Sequence, residues 1–237
     1  MAKLVQKSGY IKSGKASGYM RYIATREGVE KLAGNGSVTK GQRELIQKLL
    51  TDFPDAVELF EYEDYCKTPT LGTASAFISM ALDANLHEID SESGYMQYIA
   101  TRPRAQKRGI HGLFSSATAV DLASAISELE AHEGNVWTII YSLRREDADR
   151  LEYDNADAWR ALLMENAPTL AKSMKISLDN FHWYAAFHDE GHHPHIHMMV
   201  WSDDPKEGFL TKDGIAAMRS KLTNAIFRDE MQQIYER

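Results

Sequence analysis

Three β-rich apolar runs, with amphipathic helical stretches between them, predict an α+β fold built on a mainly antiparallel sheet. Two of the runs, 181–187 and 198–201, are separated by a polar segment, 189–193, that holds one glycine. Such a segment closes the two runs as an antiparallel hairpin. The third run, 136–143, reads Val-Trp-Thr-Ile-Ile-Tyr-Ser-Leu, rich in β-branched and aromatic residues, as a central strand is. The helical stretches are expected to cover one face of the sheet and leave the other for chemistry.

The elements follow in order. Residues 4–7 begin a short strand that reaches towards Ile11. Ser13-Gly14-Lys15-Ala16-Ser17-Gly18 is a turn, and the next stretch places Tyr19, Tyr22, Ile23 and Arg26 at helical spacing. A helical insertion is expected over about residues 40–90 within a single domain spanning 1–237. Within it, Leu45, Ile46, Leu49 and Leu50 mark one apolar face, and Pro54 can open a second helix. Thr68-Pro69-Thr70-Leu71-Gly72 breaks the pattern, and Thr73 is the expected cap of a helix over 74–86. Residues 109–116 read as a loop with His111, left without a role, since a loop histidine is usually exposed. The stretch 120–132 is an amphipathic helix closed by Gly134. Residues 155–174 form a long helix that Pro168 should bend or interrupt. Residues 212–235 form a last amphipathic helix, and the sequence ends directly after it, as a trimmed catalytic domain would.

One ten-residue unit occurs twice. Ser17-Gly-Tyr-Met-Arg-Tyr-Ile-Ala-Thr-Arg26 returns at 93–102 with one difference, Arg21 against Gln97. Each copy ends on an arginine and carries two tyrosines, so phenols and phosphate-binding groups travel together. A single duplication of this kind is not the signature of a solenoid.

Bulk properties exclude several classes. The chain has 237 residues, 43% hydrophobic and 26% charged, as soluble domains do. No stretch approaches the roughly 18–20 apolar residues of a membrane span, and the first five residues lack a signal-peptide core. One cysteine, Cys66, rules out an internal disulfide framework and fits a cytoplasmic location. The net charge of −7 argues against indiscriminate nucleic-acid binding, but its distribution is uneven. Residues 1–26 carry six basic side chains and no acid, and Arg102, Arg104, Lys107 and Arg108 form a second cluster. One face could therefore meet phosphates while the rest stays acidic.

Five of the nine histidines fall between His188 and His197, which marks this stretch as the chemical centre. Residues two apart on a strand share a face, so His195 and His197 point one way while Ile196 goes into packing. The hairpin brings His188 beside them. Three converging neutral imidazoles make a site for a divalent ion, Mn2+ or Mg2+ with Zn2+ possible, that keeps coordination positions open. A closed structural zinc site would need a fourth ligand. Cys66 is far away in sequence, so His192 or His193 would have to supply it. Glu190 could orient a ligand histidine from outside the coordination shell.

His188, Glu190 and the run Pro194-His195-Ile196-His197 resemble the third motif of conjugative relaxases of the HUH endonuclease class, most closely the mobilisation (MobP/MobL-like) type. That motif reads His-x-Asp-x-x-x-Pro-His-x-His, and Glu190 stands here where the pattern has Asp. The resemblance implies a roughly five-stranded sheet with the histidine strand in the middle. It implies a DNA nicking-joining enzyme that cuts one strand at an origin of transfer and holds it as a 5′-phosphotyrosyl intermediate. It places the nucleophile on the first helix after the first strand, hence Tyr22 or Tyr19, with Tyr98 and Tyr95 as their counterparts in the second copy. Arg26, Arg102 and Arg145 are the expected DNA contacts. Single-stranded DNA, accessory relaxosome proteins and a coupling protein are the expected partners. A replication initiator, a transposase nickase and a water-activating metal-dependent hydrolase share the same histidines and remain alternatives.

Overall fold

Five strands build one sheet whose two faces have different fates, because successive side chains along a strand point to opposite sides. The structure is a computed structural model that describes residues 3–10, 36–85, 96, 99–100, 106, 111–117, 119–132, 134–189 and 191–228. The chain divides into two compact units, one of residues 1–11 with 92–237 and one of residues 12–91.

The larger unit holds strands β1 (Val5–Tyr10), β2 (Leu113–Phe114), β3 (Trp137–Ser142), β4 (Phe181–His188) and β5 (His195–Ser202). Their order is β1-β3-β5-β4-β2, antiparallel throughout. The fold is therefore α+β, and the histidine strand β5 is the middle strand.

Register decides which side chains share a face. Ile196 lies between Phe187 and Tyr141, and Met198 lies between Ala185 and Ile139. These residues belong to the main apolar core, together with Trp159, Leu163 and Leu170 of one helix and Met218, Leu222 and Ile226 of another. The first of these helices is Ala156–Ser173 and the second is Lys212–Ile226. One face of the sheet is thus buried under helices. The residues that alternate with these, His195, His197, Ala186 and His188, face the other way.

The chain-order labels for the described helices are α1 (Lys40–Asp52), α2 (Phe60–Lys67), α3 (Leu71–Asn85), α4 (Leu122–Glu130), α5 (Arg145–Arg150), α6 (Ala156–Ser173) and α7 (Lys212–Ile226). Helix α7 starts on Thr211, whose hydroxyl accepts from the Gly214 N–H at 3.1 Å. Gly214 is required there, because a Cβ would stand 2.4 Å from the backbone oxygen of Ser173 at the end of α6. Of the bend or interruption expected at Pro168, the interruption does not occur: helix α6 runs from Ala156 to Ser173. A proline inside a helix costs roughly 3 kcal/mol or more. Burial of Trp159, Leu163 and Leu170 on either side offsets that cost.

In the smaller unit, α1 buries Leu45, Ile46 and Leu49, as its spacing predicts. Thr39 and Gln42 cap it reciprocally. Pro54 opens a 3-10 turn, Pro54–Glu58. Helix α3 starts at Leu71, three residues before the expected Ala74. Thr70 and Thr73 exchange bonds across its first turn, so Thr70 takes the capping role expected of Thr73. Tyr62 and Tyr65 pack on Phe77.

Two further expectations change in the larger unit. The loop expected over 109–116 contains β2, which pairs Leu113 with Ala186 at the edge of β4. A two-residue strand is too short for any periodicity to reveal it. His111 is buried and not exposed: its Nδ1 accepts from the Leu113 N–H, and its Nε2–H donates to the Val120 carbonyl. No described helix is long and apolar enough to cross a membrane.

Candidate metal centre

The pairing of β4 with β5 builds the site. His188 stands directly opposite His195, and His197 lies one same-face step further along β5, opposite Ala186. The ring centroids are 5.2 Å apart for His188 and His195, 4.6 Å for His188 and His197, and 5.1 Å for His195 and His197. One nitrogen from each ring lies within 4.8 Å of the other two. All three residues are at most 1% exposed.

Two backbone carbonyls fix which nitrogens face the centre. His188 Nε2 lies 2.9 Å from the Ile99 oxygen, and His195 Nδ1 lies 3.0 Å from the His193 oxygen. A carbonyl can only accept, so each of those nitrogens carries the proton. The ligand lone pair is then on Nδ1 of His188 and on Nε2 of His195. Metal-binding histidines are typically held in this way, by an outer carbonyl that sets tautomer and ring orientation. The donor set, its depth and its preset tautomers fit a divalent ion. Among the described residues, no other His, Cys, Asp or Glu atom joins the cluster. Three ligands with open positions are the pattern of a site that meets substrate.

The turn between the ligand strands is held from β3. The Leu143 N–H donates to the Pro194 carbonyl at 3.2 Å, and the Arg145 N–H donates to the His192 carbonyl at 2.9 Å. The Arg145 side chain donates to Asp189 at 2.5 Å, to the Gly191 carbonyl at 3.2 Å and to Asp149 at 3.2 Å. Arg145, expected to meet DNA phosphate, has its guanidinium on three acceptors among the described residues. It also opens α5, a helix that sequence periodicity did not announce.

Of the other expected site residues, Tyr19, Tyr22, Arg26, Tyr95, Tyr98, Arg102 and Glu190 lie outside the described residues. Ile99 belongs to the second copy of the repeated decapeptide, so that copy supplies the carbonyl partner of His188, a role that no side-chain pattern could signal. Two described tyrosines of the sheet, Tyr141 and Tyr184, are poor nucleophiles. Tyr141 is fully buried on the opposite face, and burial raises its pKa. Tyr184 shares the histidine face, but its hydroxyl donates to Glu128 at 2.9 Å. Burial and then that carboxylate push its pKa up to about 12.

A protein-family model described as MobL relaxases matches the chain over residues 1–237. No curated protein and no solved structure matches it.

Proposed function

We propose that this chain, which belongs to the MobL relaxase family, nicks single-stranded DNA at an origin of transfer by tyrosine transesterification. The observation that carries the proposal is the buried three-histidine cluster on the middle strand of a chain that the family matches from end to end. His188, His195 and His197 would hold Mn2+ or Mg2+, with Zn2+ as the alternative occupant. An ion there supplies Lewis-acid stabilisation of the charge that develops on a scissile phosphate.

The protein's own groups do the rest. The Tyr22 phenol attacks phosphorus in line, and its P–O bond forms as the bond to the departing 3′ oxygen breaks. The phenol loses its proton and the 3′ oxygen gains one, leaving a 5′-phosphotyrosyl linkage and a 3′-hydroxyl. One phosphodiester replaces another, so the step is close to isoenergetic and can run backwards to rejoin the strand. Tyr19, three residues earlier in the same decapeptide, is the second candidate, and Tyr98 and Tyr95 are the counterparts in the other copy. A phenol has an ordinary pKa near 10, so it needs activation by nearby positive charge. Arg26 and Arg102 grip phosphates, and Glu190 orients a ligand histidine through its second nitrogen. Arg145 is the third expected phosphate contact, and its guanidinium is held by Asp189, Asp149 and the Gly191 carbonyl. Conjugative transfer then involves accessory relaxosome proteins and a coupling protein, in the cytoplasm of the donor cell.

The test is incubation with single-stranded oligonucleotides and Mn2+, followed by a denaturing gel. A covalent protein–DNA adduct is expected, and Tyr22→Phe should abolish it. Cleavage that persists in Tyr22→Phe, Tyr19→Phe, Tyr95→Phe and Tyr98→Phe without any adduct would instead identify a water-activating hydrolase.

A further inference from the structure

We propose that Arg145 is a positioning residue for the metal centre: it braces the turn between β4 and β5 so that His188 and His195 stay at ligand distance. The inference rests on the metal-dependent function proposed above, because that function is what makes the spacing of the rings matter.

The argument is one of connectivity. His188 is the last residue of β4 and His195 the first of β5, so the six residues between them set how the two rings meet. Asp189 directly follows one ligand, and Pro194 directly precedes the other. Both are held from the end of β3. Asp189 accepts the Arg145 guanidinium at 2.5 Å, and the Pro194 carbonyl accepts the Leu143 N–H at 3.2 Å. Between them, the carbonyls of Gly191 and His192 accept from the Arg145 side chain and backbone. Asp149, one turn along α5, holds the guanidinium from its other side at 3.2 Å. The planar fork of arginine can serve Asp189, Asp149 and a carbonyl together; a lysine ammonium has the charge but not the fork. A hairpin turn without such a tie is where register and ring placement would loosen first, since exposed turns open locally at low cost.

A phosphate contact by Arg145 makes a different set of demands. It would need neither Asp189 nor the turn carbonyls, and lysine would largely replace arginine.

The test uses the full chain with Arg145→Ala, Arg145→Lys, Asp189→Ala and the double variant Arg145→Ala/Asp189→Ala. Mn2+ affinity is measured by titration in the absence of DNA. Each single variant, lysine included, is expected to bind Mn2+ about tenfold more weakly, at the lower end of what support of metal ligands contributes. The double variant should be no weaker than Arg145→Ala, because the bond to Asp189 is already lost there. Amide exchange of the metal-free chain gives a second readout. In Asp189→Ala, the Leu143 and Arg145 amides should exchange at least about tenfold faster, while the α6 amides stay as in the unaltered chain and report an intact core. Wild-type Mn2+ affinity and exchange in Arg145→Ala, with loss of oligonucleotide affinity alone, would overturn the brace and restore the phosphate contact. Additive losses in the double variant would overturn it too. If the unaltered chain bound no divalent ion, the proposed function would fail on that result, and unchanged turn exchange in Asp189→Ala would separately sink the brace.

Discussion

Replacing His197 by alanine should remove most of the stabilisation that a divalent ion gives this fold. The cluster exists only when β4 and β5 are paired, so an ion held there would bind the folded chain and shift its unfolding by mass action. With free metal at about 100 times Kd, that shift is about 2.7 kcal/mol. For a chain of this size, 1 kcal/mol moves Tm by about 2–4 °C, so the rise should be about 5–11 °C. His197 would be one of three ligands; it is fully buried, with no other described ligand atom in the cluster to replace it. If its loss weakens binding about 100-fold, free metal falls to about Kd and the stabilisation drops to about 0.4 kcal/mol, or about 1–2 °C. Mn2+ is the right probe, because its affinity for imidazole is the lowest of the first-row series. That limits binding to the unfolded chain, where five histidines still lie within ten residues. Thermal unfolding with Mn2+ and with a chelator, for both proteins, makes the comparison. An equal rise in His197→Ala and the unaltered chain would refute the assignment of His197 as a ligand.

Other outcomes follow from the same structure. Gly214→Ala should destabilise the larger unit by about 1–3 kcal/mol, as overpacking does, because the Ser173 oxygen is backbone and cannot step aside. The denaturant midpoint measures it. Gly41→Ala in α1, with nothing within 4 Å, should instead stabilise the smaller unit by up to about 1 kcal/mol. Tyr184 has a folded pKa raised to about 12 against an ordinary 10, so the unfolded chain loses that proton first. Its contribution is therefore constant below pH 10 and is lost as pH rises from 10 to 12. Tyr184→Phe should flatten the fall in Tm across that window, and an unchanged pH profile would show that the hydroxyl is not held as described.

The histidine cluster could be read from sequence because its geometry is local. A two-residue period and a six-residue turn are enough to set His188, His195 and His197 on one face, and Ile196, Met198 and Val200 on the other. Enrichment in β-branched and aromatic residues identified β3, and helical spacing identified α1. Where competing local signals met, tertiary packing settled the outcome. Pro168 argued for a bent or interrupted helix, and the buried flanks of α6 kept it continuous. Thr73 looked like a cap, but Thr70 stood better placed to exchange bonds across the first turn. His111 read as a loop residue on the surface, and two backbone groups drew it inside.

What the amino acids alone determined is which residues could hold an ion and which face they share, because strand alternation needs no knowledge of distant contacts. What only the tertiary structure decided is how those residues are held. The Ile99 carbonyl reaches His188 across 89 positions, and Arg145 reaches Asp189 across 44. Both bonds join segments that become neighbours only when the sheet assembles. A carbonyl is common to every residue, and an arginine at the end of a strand suits a phosphate as well as a carboxylate. Their partners are therefore set by the folded chain and not by residue type.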